Sequence, residues 1–363
     1  MNLELPLLST AKKAFLDTPV GDIQQWVAAQ QQPAFRTAQV LRWLYQARAA
    51  NFDSMTDLPA AFRTALQDQF HLFQANVVAH RIATDETHKL VLEWQDGKSI
   101  ECVLLQEETR RTACISTQVG CGMGCVFCAS GLKGVERNLS VGEILEQLVL
   151  LRNLTAPGER LSHIVVMGMG EPLANLDNLL AALEIAVSQK GLGIGARHIT
   201  ISTVGLPAKI RALADAGKQY HLAVSLHAPN DALRNQIVPT NANIGIEAIL
   251  DAADYFYATT SRQVTYEYVL LGELNDQPAD ARELARLLRD RKAHVNLIPW
   301  NNVVDLPYRR PAPEAQNAFV TTLRHAGISV KVRKRKGADI DAACGQLRRK
   351  VLENMPQIAA AAQ

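Results

Sequence analysis

Residues 163–202 read HIVVMGMGEPLANLDNLLAALEIAVSQKGLGIGARHITIS. Two short β-branched runs, HIVVM and RHITIS, bracket a segment, NLLAALEIAVSQ, whose apolar residues recur at helical spacing. A helical crossover between two strands makes them parallel. The Gly191–Ala196 stretch, GLGIGA, lacks the GxGxxG spacing and precedes a strand where a dinucleotide loop would follow one, so it reads as a connection.

The same unit repeats outward on both sides. Upstream stand ACIST and the helical VGEILEQLVLLRNL. Downstream, HLAVSL, VTYEYVLL, HVNLIP and ISVKVR alternate with PAKIRALADAG, IEAILDAADYFYA, ARELARLLRDR and PEAQNAFVTTLRHA. About six βα units and a closing strand predict an α/β fold, a partial (β/α)6 barrel of the TIM type, with an open doubly wound sheet as the alternative. Residues 1–80 carry DIQQWVAAQQQPAFRTAQVLRWLYQ and LPAAFRTALQDQF, with Pro33 and Pro59 near helix starts, and predict a small helical domain. Residues 81–110 hold two alternating runs around Asp96-Gly97, a hairpin signal. The barrel is expected over 111–355.

Composition bounds the setting. A chain of 363 residues with 48% hydrophobic and 20% charged residues is expected to fold rather than stay disordered. It has no long apolar run at the N-terminus or elsewhere, so the expectation is a soluble, cytoplasmic protein without a membrane partner. Net charge is only +2. Yet Lys331, Arg333, Lys334, Arg335, Lys336, Arg348, Arg349 and Lys350 crowd the end of the chain against Asp339 and Asp341, either as a solvated face or as a surface for a polyanion. Six cysteines, four of them between Cys114 and Cys128, suggest metal or redox chemistry rather than a disulfide framework.

In a β/α barrel the chemistry collects where strands end. The unusual residues fall there: the cysteines after ACIST, Gly168–Pro172 after HIVVM, Ser202-Thr203, Ser225-Leu226-His227, Pro299-Trp300-Asn301, and Cys344 beyond ISVKVR. Cys121, Cys125 and Cys128 form a C-x3-C-x2-C loop in which Gly122 and Gly124 permit turns. Three thiolates can hold a [4Fe-4S] cluster and leave one iron open for a substrate. A zinc site, with Cys114 as a fourth ligand at unusual spacing, is the competing reading.

That cysteine spacing resembles the radical S-adenosylmethionine (SAM) superfamily. The series FRTAQVLRWLYQ, CISTQVGCGMGCVFCASG, GMGEP, SLHAPND, LIPWN and DIDAACGQL resembles, over nearly the whole chain, the RlmN/Cfr family of RNA adenine methyltransferases. Val119, Pro172 and Pro299-Trp300-Asn301 look like the RlmN branch, which methylates adenine carbon-2; the Cfr branch, acting on carbon-8, is the alternative. The resemblance implies a radical SAM barrel, a [4Fe-4S] cluster on Cys121, Cys125 and Cys128, and two S-adenosyl-L-methionine molecules per turnover. It implies SAM contacts at Gly170, Glu171, Ser202, Ser225, Leu226, His227 and Asn301.

Adenine carbon-2 is electron-poor and does not attack a methyl cation donor, so the family uses a radical. By resemblance, Cys344 carries the methyl group as S-methylcysteine, Glu101 removes the carbon-2 proton, and Cys114 releases the product by forming a disulfide with Cys344. The implied partners are 23S rRNA near the peptidyl transferase centre, tRNA at the adenosine after the anticodon, and a reductant such as flavodoxin or ferredoxin; a monomer is expected. The basic segment around Cys344, with Arg36, Arg42 and Arg48 in the helical domain, offers RNA surfaces.

Without the resemblance each residue has a plainer reading. Cys344 would be a small buried residue, Cys114 a strand residue, Glu101 a surface carboxylate and His227 a core histidine. Cys102, opposite Glu101 in the strand alternation, is expected to be a core thiol. A radical SAM activase would have no use for Cys344, and a non-catalytic RNA-binding iron–sulfur protein would not need GMGEP.

Overall fold

The computed structural model describes residues 12–303 and 306–347. Its centre is a ten-stranded sheet: β1 (Asn76–Ile82), β2 (His88–Glu93), β3 (Ser99–Gln106), β4 (Arg111–Cys114), β5 (His163–Val166), β6 (Ile199–Thr203), β7 (His221–Ser225), β8 (Val264–Leu270), β9 (Ala293–Pro299) and β10 (Ser329–Val332). The strands lie in the sheet in chain order. Pairing is antiparallel from β1 to β4 and parallel from β4 to β10. Strands β4 and β10 do not pair, so the barrel stays open along a seam between its first and last parallel strands.

Helical crossovers join the parallel strands as the alternation predicts. They are α4 (Val141–Asn153), α5 (Leu176–Val187), α6 (Pro207–Asp215), α7 (Asp231–Ile237) with α8 (Ile246–Thr260), α9 (Pro278–Leu287) and α10 (Pro313–His325). Residues Val20–Ala29, Phe35–Tyr45 and Ala60–Gln69 form α1, α2 and α3 ahead of the sheet. Among the described residues no helix is long and apolar enough to cross a membrane.

Helix α4 joins the N-terminal helices to the barrel. Ser140 caps it in a reciprocal box with Glu143. Asp17 reaches over from the N-terminal segment to accept from Ser140 Oγ at 2.8 Å and Gly142 N at 2.5 Å. A Cβ at Gly142 would lie 2.6 Å from the Asp17 carboxyl carbon, so only glycine admits that contact. Farther along, Arg152 donates to the carbonyls of Leu44 and Tyr45 at the end of α2.

Three local departures from the sequence expectation have physical causes. Strand β1 lies in a stretch expected to be helical; as an edge strand it leaves Val77 and Ile82 exposed, so it lacks the alternation of a half-buried strand. Helix α7, DALRNQI, is too short to show helical periodicity and starts from the Asn230 cap, whose side chain accepts from Leu233 N. The run ACIST leaves the ladder after Cys114, because Ser116 N donates to Gln147 Oε1 on α4 and Ser116 Oγ to the Glu101 carbonyl.

Candidate active site

The C-terminal ends of the parallel strands surround a cavity lined by Cys121, Cys125 and Cys128 on one side and by Gly170, Glu171, Ser202, Ser225, His227, Asn301 and Cys344 on the others. A two-stranded ladder, Gln118–Gly120 against Val135–Asn138, closes the base of the cysteine loop. Gly120 adopts φ +78°, and a Cβ there would sit 2.1 Å from the Gly134 carbonyl oxygen. Val126 N donates to Ile237 O at 3.1 Å and Thr240 Oγ1 to Met123 O at 2.8 Å, which fixes the loop against α7 and the turn after it.

Burial pushes all three thiols up, Cys121 to about 11; Cys128 and Cys121 raise Cys125 further, whereas hydrogen bonds from Ser130 and Gly131 oppose the rise at Cys128. Such a group favours a cationic centre that draws the thiolates together. Cys114, the fourth ligand a zinc site would need, lies outside the wall of this cavity. The donor set therefore fits a thiolate-held iron–sulfur cluster better than a four-thiolate zinc site.

The GMGEP loop packs against Ser116–Gln118. A Cβ at Gly168 would lie 2.6 Å from Ser116 Oγ, and one at Gly170, where φ is +103°, 2.7 Å from Gln118 Cβ. Glu171 is buried; its Oε1 accepts from Leu173 N at 3.0 Å and its Oε2 from Val204 N at 2.8 Å, while its own N–H donates to Gln118 Oε1. Burial raises its pKa and these backbone bonds oppose the rise. With both oxygens partly used, the loop carbonyls and the remaining lone pairs can meet an ammonium group.

Ser202 and Ser225 face each other on β6 and β7 with Oγ atoms 3.4 Å apart. His227 takes φ +62°, packs edge-on against Phe127, and accepts from Val269 N through Nδ1 at 3.1 Å. Burial, with Arg234 behind it, pushes this imidazole down to about 3, so it is neutral with its proton on Nε2. Leu226 puts no side chain into the cavity wall; its N–H donates to the Glu267 carbonyl. Its carbonyl accepts from Arg234 Nε.

Cys344 belongs to a loop stitched onto this cavity. Asn301 Nδ2 donates to the Cys344 carbonyl at 3.2 Å, Ala129 N to Gly345 O at 2.8 Å, and Ser130 Oγ to Leu347 O at 2.8 Å. Cys344 lines this cavity and also a second one, which lies inside the barrel beside the open seam and is lined by strands β3 to β6 and β8 to β10. That second cavity reaches Cys114 at the end of β4 and is bordered by Arg110, Arg310, Lys331, Arg333, Lys334, Arg335 and Lys336, against Glu107 and Glu267. Arg348, Arg349 and Lys350 of the basic segment lie outside the described residues.

Two expectations change. Glu101 is not a surface carboxylate, nor does it line either cavity: it is 1% exposed and its Oε1 lies 3.1 Å from Lys89 Nζ. Lys89 also donates to the Asp341 carbonyl at 3.2 Å, which sets Glu101 beneath the Cys344 loop. Arg48 is not free for RNA, since it donates to Thr155 and to the Glu159 carbonyl inside the molecule. Arg42 remains exposed but paired with Asp57, and Arg36 donates to Gln39. Cys102 is wholly buried among apolar side chains.

Sequence reading missed Arg234, Glu267 and Gln118, and took Arg333 only as one charge of the basic segment. Arg234 is completely buried and donates to the carbonyls of Val204, Ser225 and Leu226, tying together the ends of β6 and β7. The alternation of β8 could have flagged Glu267, an acidic residue in the run VTYEYVL.

Residues 115–287 match the model of the radical SAM superfamily, and residues 14–72 match that of the ribosomal RNA large subunit methyltransferase N-terminal domain. The chain is 50% identical over 355 residues to a probable dual-specificity RNA methyltransferase RlmN of Rhodopirellula baltica, covering 96% of each. It is 43% identical to one so named of Bacillus cytotoxicus, over 94% of this chain and 95% of the relative. Among solved structures, a radical SAM methyltransferase from Sphaerobacter thermophilus aligns with TM-score 0.89 and 42% identity, over 93% of this chain and 99% of that one.

Proposed function

The chain belongs to the RlmN family of radical SAM RNA methyltransferases, and from that premise we propose that it methylates carbon-2 of adenosine in 23S rRNA and in tRNA, with Cys344 as methyl carrier. The observation that carries this reading is the position of Cys344 in the wall shared by the cysteine-loop cavity and the basic seam. A sulfur there can meet a methyl donor on one side and an RNA base on the other.

Cys121, Cys125 and Cys128 would hold the [4Fe-4S] cluster, with SAM against Gly170, Glu171, Ser202, Ser225, His227, Asn301 and the backbone of Leu226. When bound, the pair supplies the one-electron chemistry that activates an unreactive carbon–hydrogen bond. Cys344 first accepts a methyl group by displacement, and the same carbon then joins adenine carbon-2, so two SAM molecules are used per turnover. Neutral His227 offers an Nε2 donor without adding a positive charge beside a sulfonium. Glu101 accepts the carbon-2 proton, which requires the Cys344 loop above it to give access to the buried Lys89 pair. Cys114 then attacks the Cys344 sulfur, and a reductant such as flavodoxin or ferredoxin supplies electrons to the enzyme. The target base must leave its stack to reach the seam, where the lysines and arginines can hold the backbone.

Val119, Pro172 and Pro299-Trp300-Asn301 favour carbon-2 over carbon-8. The test is nucleoside analysis of tRNA and a 23S rRNA fragment after incubation with cluster-loaded enzyme, SAM and reductant. 2-Methyladenosine is the expected product. 8-Methyladenosine would reassign the chain's position specificity, and methylation of neither RNA would remove the substrate reading.

A further inference from the structure

The reaction described above leaves one central cation without a role. Arg333 follows β10 directly, and its N–H donates to the Leu297 carbonyl at 2.8 Å, which sets its direction. Its half-buried side chain lies in the wall common to both cavities, as do Cys344 and Met167. Arg333 Nη1 stands 3.6 Å from Met167 Sδ, and among the described residues no carboxylate oxygen comes within the 4.0 Å of an ion pair with it. With it in the wall of the second cavity stand Cys344, Cys114 on β4, Glu267 on β8 and Glu107 beyond β3. Glu267 is already held by Asn296 Nδ2 at 2.8 Å. A guanidinium placed in a cavity wall without a paired carboxylate is costly, and its geometry suits anions that form there in turn.

We propose that Arg333 is a positioning residue for both sulfurs, holding the Cys344 thiolate for methyl transfer and later the Cys114 thiolate for attack on Cys344. This rests on the methyl-carrier reading. In the first step the Cys344 sulfur forms a bond to the methyl carbon, the donor's sulfur–methyl bond breaks, and its electron pair stays on S-adenosylhomocysteine. In the second, the Cys114 thiolate forms a disulfide with Cys344. The bond from Cys344 sulfur to the methylene carbon breaks, and its pair goes to that carbon, which takes a proton to become the methyl group. The two cysteines lose two electrons, which a dithiol returns. Both steps begin from a thiolate. Burial and the facing Cys344 push Cys114 up to about 12, and Arg333 is the charged group that opposes this.

The test uses full-length, cluster-loaded enzyme under anaerobic conditions, comparing wild type with Arg333→Met and Arg333→Lys. Rapid-quench mass spectrometry follows S-methylation of Cys344 at saturating SAM, and reoxidation of the reduced enzyme with oxidised dithiothreitol gives the rate of Cys114–Cys344 disulfide closure. Loss of one unit of thiolate stabilisation is about tenfold in thiolate population. Arg333→Met should therefore slow methylation about tenfold with the KM for SAM unchanged. It should also slow closure of the Cys114–Cys344 disulfide about tenfold, because the attacking Cys114 thiolate loses its cation. Arg333→Lys should recover most of both. An unchanged rate at saturating SAM with a raised KM for SAM would make Arg333 a cofactor contact, and a raised KM for RNA alone would make it a phosphate contact. A slow Lys variant with a normal rate of disulfide closure would reduce it to packing. Each of these overturns the assignment, whereas a wild-type Cys344 that never gains a methyl group brings down the carrier reading itself.

Discussion

The two cavities that share Cys344 are built differently. At the rim cavity the polar groups are largely committed before any ligand arrives: Glu171 accepts two backbone N–H groups and His227 accepts one, while Arg234, buried behind the wall, donates to three carbonyls. The seam cavity is bordered instead by long cations, of which Arg110, Arg310, Lys331, Lys334 and Arg335 are exposed. The rim is thus preorganised, as a site for a small cofactor needs, at the cost of strained backbone and buried charge. The seam stays open and solvated, which suits a polyanion held through its backbone.

If that contrast holds, rim substitutions should cost stability and seam substitutions should not. The largest effect is expected from Arg234→Met, which strands the carbonyls of Val204, Ser225 and Leu226 in the interior. A loss of about 3 kcal/mol is expected from urea unfolding. Gly170→Ala comes next: its φ of +103° and the 2.7 Å approach to Gln118 should cost about 2 kcal/mol, with loss of SAM binding by calorimetry.

His227 gives a pH test of the same contrast. Its folded pKa, about 3, is depressed below the ordinary 6.5, so the folded state disfavours the proton. Its contribution is fully present above about pH 6.5 and is lost as pH falls towards 3, at about 1.4 kcal/mol per unit at most. Unfolding free energies of wild type and His227→Gln should therefore converge or cross as pH drops from 7 to 5 (roughly). Parallel curves would mean that the imidazole is not buried as a neutral group.

The smallest effect belongs to the seam. Arg335→Ala should leave the unfolding free energy within about 0.5 kcal/mol of wild type, weaken tRNA binding at low salt, and reduce the salt slope of log K by about 1. An Arg335→Ala protein that unfolds as readily as the Gly170→Ala one would erase the distinction between the two walls.

What the sequence made legible follows the same division. The six crossovers and the strand-end positions of the cysteines, Glu171, Ser225 and His227 were readable, because periodicity and chain order place a residue along a strand. Arg234 was not, since its role depends on three carbonyls brought together by α7, a helix of seven residues. Arg333 read as one charge in a basic run, because nothing in KVRKRK says which side chain turns inward. The burial of Glu101 was hidden for a related reason. Its partner Lys89 sits on the neighbouring strand, and the lid over the pair comes from residues near Asp341, far along the chain.

The proposed role of Cys344 is to carry the methyl group between the two cavities. Its most direct test is peptide mass spectrometry of anaerobically purified, cluster-loaded enzyme after incubation with SAM, wild type against Cys344→Ala. A methyl group on the Cys344 sulfur, absent in the variant, is the expected result. An enzyme that cleaves SAM while Cys344 stays unmodified would contradict it.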